Sequence, residues 1–80
     1  MEVGVNVKMS KMHEDINKNY PWGYWRYYMS IGRACHEYGV FSGVFTIDTV
    51  VSKLDPNDWL EYFMDNVNPY KAVKEDLKEG

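Results

Sequence analysis

Ten consecutive residues, Tyr20–Met29 (YPWGYWRYYM), carry six aromatic rings in a chain of 80. A chain of this length buries only roughly 60–65% of the surface its unfolded form exposes, so its core is thin. Large rings are one way to fill such a core, and so many in one segment raise the question of whether all of them belong to it. Helical spacing sorts them. Pro21 suits the first turn of a helix, where its missing N–H does no harm. Tyr24, Tyr27, Tyr28, Ile31, Ala34, Cys35 and Tyr38 then fall on one stripe. Gly39 is free to take the left-handed conformation that ends a helix.

The other side of that helix is left with Trp22, Trp25, Arg26, Met29, Arg33 and His36. Two readings compete for it. Either the helix is buried on both sides, or Trp22, Trp25, Arg26, Met29 and Arg33 form a protein-binding face, since Trp, Tyr and Arg dominate interface hot spots.

The N-terminal stretch MEVGVNVKMS alternates, with Met1, Val3, Val5, Val7 and Met9 on one side and polar or small residues on the other. That period predicts a half-buried strand over about 2–9. A strand needs a partner. The segment VFSGVFTIDTVVSKL offers one over about 44–51: Val44, Ile47, Val51 and Leu54 also fit a helix, but the β-branched content favours a strand. Between the two, Ser10 caps a short helix with Met12 and Ile16 four apart on its buried face. Asp55-Pro56 and Asn68-Pro69 are helix starts. Leu60, Phe63, Met64 and Val67 make the first buried stripe, and Tyr70, Val73 and Leu77 make the second. The expected fold is a single compact α+β domain over residues 1–80, with two short strands, three to four helices and a frayed C-terminus; an all-α bundle is the alternative.

The single cysteine excludes an intrachain disulfide and favours a reducing, cytoplasmic setting. The N-terminus lacks a signal-peptide pattern, and no apolar run approaches the ~20 residues of a membrane span, so no membrane association is expected. Cys35 and His36 are adjacent, which on a helix points them about 100° apart, so they do not make a nucleophile–base pair. His13, His36, Cys35 and the nearby acids lack zinc-module spacing. Neither a catalytic residue, a metal nor a cofactor is expected.

The net charge of −3 is uneven: between Lys53 and Lys71 the chain has no basic residue, while Asp58, Glu61 and Asp65 share one helix face. Such a face is either simply solvated or an acidic stripe that steers a partner with a basic surface. Direct nucleic-acid binding is disfavoured for want of a basic footprint. ACHEYGVFSGVF has the small-residue and glycine spacing of a helix-turn-helix, yet residues 42–52 offer no Lys, Arg, Gln or Asn to read base edges.

Small size, acidity and a high aromatic content suit a small non-catalytic inhibitor or adaptor that occludes a partner's surface. The phage and mobile-element counter-defence proteins, anti-CRISPRs among them, are an analogy of size and charge, which would place it in the host cytoplasm. A helix-turn-helix regulator is the alternative. A dimer is compatible with either.

Overall fold

The computed structural model describes residues 3–41, 43 and 46–79, with side chains from residue 10 to residue 78 apart from the gaps at 42, 44 and 45. Among these residues five helices follow one another: α1 (Val3–Asn19), α2 (Tyr24–Glu37), α3 (Ile47–Lys53), α4 (Pro56–Met64) and α5 (Pro69–Glu79). No strand occurs among the described residues. The expected α+β architecture gives way to an all-α one with five helices rather than three or four.

Both strand expectations fail for connected reasons. Residues 3–9 belong to α1, which passes straight through Ser10, so Ser10 caps nothing. Once the C-terminal half of α1 is pinned by buried Ile16 and half-buried Met12, each further residue adds a hydrogen bond to an existing helix. A lone strand would gain no such bond without a partner. The proposed partner is itself helical from Ile47; Val44 and Phe45 lie outside the described residues, as do Met1 and Glu2. Thr46 takes extended backbone angles and its hydroxyl accepts the Thr49 N–H at 3.1 Å, an N-cap worth about 1 kcal/mol. Val50 and Val51 on α3 are fully buried. Cap and burial together outweigh the β-preference of the valines, which spans only about 1 kcal/mol.

α2 is the hub and touches each of the other four helices. The molecule measures 37 × 31 × 15 Å across its Cα atoms, and 15 Å is two helical layers at the usual spacing of about 8–10 Å. Tyr24, Tyr28, Ile31, Ala34 and Cys35 supply the α2 share of the core, against Ile16, Val50, Val51, Trp59, Ala72 and Val73. Gly32 sits where α3 comes closest: a Cβ there would lie 2.2 Å from Val51 Cγ2.

The tyrosines of α2 also explain why the core uses Tyr and not Phe. Tyr28 Oη lies 2.8 Å from Leu54 O and 3.1 Å from Val51 O, Tyr27 Oη donates to Val67 O at 2.7 Å, and Tyr24 Oη donates to Pro56 O. Leu54 O and Val67 O lie in the linkers on either side of α4, outside any helical ladder, whereas Val51 O also accepts the Leu54 N–H at 3.2 Å and Pro56 O belongs to the first turn of α4. Tyr28 and Tyr27 therefore fill apolar volume and also satisfy one backbone acceptor in each of the two linkers that flank α4, while Tyr24 ties α2 to the first turn of α4.

Helix ends follow local chemistry. Asp55 accepts the Asn57 N–H at 2.9 Å ahead of Pro56, and Asn68 accepts the Tyr70 N–H at 2.9 Å ahead of Pro69. α2 closes with Gly39 at φ +65°, its N–H on His36 O and the Val40 N–H on Cys35 O. α4 closes the same way, with Asn66 at φ +58° and the Val67 N–H on Tyr62 O.

Candidate protein-binding surface

The connection from α1 to α2 is built around Gly23. Its φ of 87° and ψ of −8°, with the Tyr24 N–H donating to Pro21 O at 3.1 Å, make Pro21–Tyr24 a type II β-turn. Glycine is what that position requires. Trp22 is left at the corner preceding it, where its side chain points away from the chain on both sides, and it is 97% exposed.

Trp25 behaves differently. It is half-buried at the edge of the core, stacked on His13 of α1 with ring centroids 4.7 Å apart and leaning on Tyr28 at 6.3 Å. Met29, one turn further on, is likewise half-buried against the core. The opposite side of α2 is thus neither wholly core nor wholly surface. Trp25 and Met29 line its margin, and Arg26 and Arg33 are exposed between that margin and solvent.

Trp22, Trp25 and Arg26 come together in an open cleft of about 490 Å³, joined by His13 and Asn17 from α1 and Phe63 from α4. Sequence reasoning missed the last three, because nothing in their spacing announces which helix faces α2. Arg33 does not join them. It stands at the far end of α2 near Tyr70, whose hydroxyl donates to Glu37. That bond to the carboxylate, with a smaller share from desolvation, raises the Tyr70 pKa, while the Arg33 charge opposes the rise.

The acidic residues occupy another surface. Asp58, Glu61 and Asp65 line a groove of about 380 Å³ with Tyr62, and Asp76 of α5 closes its other side. Asp76 was not singled out from sequence, since it lies eleven residues beyond Asp65 on another helix. Among the described residues, no three His, Cys, Asp or Glu side chains are arranged to hold a metal ion.

Cys35 and His36 diverge as helical geometry requires, the thiol 1% exposed and the imidazole on the surface. Burial, with help from the Asp76 charge, pushes the Cys35 pKa up to about 11, so the thiol stays protonated and unreactive. The helix-turn-helix spacing is not kept: residues 38–46 separate α2 from α3, longer than the three- or four-residue turn of such a motif. No helix among the described residues is long and apolar enough to cross a membrane.

Comparison with protein-family models, with curated proteins and with solved structures finds no match to this chain.

Proposed function

We propose that this chain is a non-catalytic protein-binding domain, an inhibitor or adaptor that works by covering a partner's surface, with Trp22 as its anchor. The observation that carries this reading is the near-complete exposure of Trp22 at a glycine-specified turn. Trp22 shares its cleft with Trp25 and Phe63, an apolar patch of the kind that marks a binding surface, and a Trp side chain has only two torsions to fix when it is covered. Trp25, braced between His13 and Tyr28, gives the same cleft a rigid floor, and Arg26 gives it a planar donor. Met29 and Arg33 flank this centre; Asp58, Glu61 and Asp65 steer a basic partner from a separate groove. Small phage-encoded inhibitors acting in a host cytoplasm share this size and charge, and host enzymes that handle nucleic acid are the partners to search first.

The test is capture from cell lysate with tagged wild type and Trp22→Ala, each with and without nuclease. Loss of a central hot spot of about 2 kcal/mol predicts a roughly thirtyfold weaker partner affinity for Trp22→Ala, with its melting temperature unchanged. Trp25→Ala should weaken binding and also lower stability by about 2 kcal/mol, near half the cost of truncating a fully buried Trp. Capture that is indifferent to Trp22→Ala, or that vanishes with nuclease, would refute the reading.

A further inference from the structure

A hollow of about 240 Å³ opens between the α2–α3 connection, α4 and α5. Its apolar lining is Phe41, Leu54, Trp59, Val73 and Leu77, over the Cys35 thiol. Trp59 and Val73 are buried, whereas Leu77 is 47% exposed at the mouth. Three exposed carboxylates, Asp55, Asp58 and Asp76, also line it, against one base, Lys53. Asp58 and Asp76 are shared with the groove that holds Glu61 and Asp65, so the hollow and the groove form one continuous surface.

We infer that this surface binds a basic amphipathic segment of a partner protein, one apolar side chain entering the hollow at Trp59 while flanking Lys or Arg side chains lie along Asp58, Glu61, Asp65 and Asp76. The charge decides the occupant. Five carboxylates face one lysine across the combined surface, and α4 carries no base of its own to neutralise them. The Asp76 charge reaches the floor of the hollow, where, after burial itself, it helps hold the Cys35 thiol protonated. The carboxylates are not grouped to hold a metal ion, which leaves a cation spread along a chain. The volume decides the rest. At about 240 Å³ the hollow has room for a single anchoring side chain, and the open acidic groove of about 380 Å³ continues from it along α4. Adjacent α4 and α5 provide the trough in which an amphipathic helix sets anchors at i, i+3 and i+4.

This inference takes the chain to be a protein-binding domain but does not depend on Trp22. Its test uses the full chain and a fluorescent synthetic helix of Leu and Lys, with Leu at i, i+3 and i+4, followed by polarisation and by backbone amide shifts. Saturable binding that weakens with added salt, with shifts centred on α4 and α5, is the expected result. Asp58→Asn with Asp76→Asn should reduce affinity about tenfold, as two weakened exposed ion pairs allow. Leu77→Ser should weaken binding without altering charge, and a peptide with Leu replaced by Ser should not saturate. Trp22→Ala should bind like wild type. If the double variant is poorly folded, Asp76→Asn alone, at an exposed position, keeps the comparison.

The proposal fails if the Leu→Ser peptide binds equally well, if no peptide saturates, or if the shifts centre on the Trp22 cleft. Self-association abolished by the double variant would give the surface to a second copy and also refute it. Failure here alongside Trp22-dependent capture from lysate would remove the acidic groove and leave the Trp22 reading standing.

Discussion

Gly32 and Val51 show how much one hydrogen atom in place of a methyl decides in this molecule. Alanine is normally the better helix residue by about 1 kcal/mol, so Gly32→Ala would be a stabilising change on an isolated helix. Here its Cβ would sit 2.2 Å from Val51 Cγ2, and Val51 is fully buried on a short helix with little room to turn. Overpacking of about 1–3 kcal/mol outweighs the propensity gain. Gly32→Ala should therefore lower the melting temperature, by roughly 4–8 °C for each net kcal/mol. Val51→Ala removes the clashing methyl, so the double variant should be less destabilised than the two single losses added together. Strict additivity in thermal melts would mean that α2 and α3 do not meet at this pair. Trp22 stands at the other extreme of the residue scale: it contacts so little of its own chain that truncation should not register in stability at all.

At the scale of the element, short-range chemistry sets where helices begin and end. Asp55 and Asn68 cap α4 and α5 ahead of their prolines, and Gly39 and Asn66 close α2 and α4 in left-handed conformations. Asn66 gives a clean test, because its φ of +58° costs most residues about 1–2 kcal/mol while asparagine and glycine tolerate it. Asn66→Ala should lose about 1 kcal/mol in denaturant titration, and Asn66→Gly should lose nothing or gain slightly. Equal losses for both would mean that the side chain, not the backbone conformation, matters there. The starts at Pro56 and Pro69 and the stop at Gly39 could all be read from sequence, since each rests on residues within one turn. The N-terminal alternation misled because period two says what a strand would bury, not whether a partner exists to pair with it.

For the whole molecule, the tyrosine-rich hub has a consequence at high pH. Burial, the largest cause in each case, pushes the pKa of Tyr27 up to about 12, that of Cys35 to about 11, and those of Tyr24 and Tyr28 higher still. Each group holds its proton more tightly in the folded chain than in the unfolded one. Their contribution to stability is complete below the ordinary values of 9.0 for the thiol and 10.0 for the phenols, and drains away as pH climbs toward the folded values. Stability should therefore fall steeply between about pH 9 and 12, with ionisation of Tyr24, Tyr27 and Tyr28 and loss of helical circular dichroism occurring as one transition. Ionisation of Tyr24, Tyr27 and Tyr28 near pH 10 with the helices intact would show that the hub is not sealed.

Local sequence determined the amphipathic stripe of α2 from Tyr24 to Cys35, though not at Tyr38, which caps the helix and is exposed, and also both proline-led helix starts, the glycine stop and the shared face of Asp58, Glu61 and Asp65. All of these depend on spacings of three or four residues and on caps. Tertiary structure decided that residues 3–9 are helical, by propagation of a pinned helix, and tipped residues 47–53, already capped by Thr46, to helix by burying Val50 and Val51 against a β-preference of about 1 kcal/mol. It also decided how far each helix is rotated about its own axis. α4 buries Trp59 and leaves Met64 61% exposed, where the stripe from Leu60 to Val67 placed Met64 inside. The same rotation brings Asp76 to the α4 acids and Phe63 to the Trp22 cleft. Periodicity tells which residues of a helix share a face; only the neighbouring helices determine where that face points.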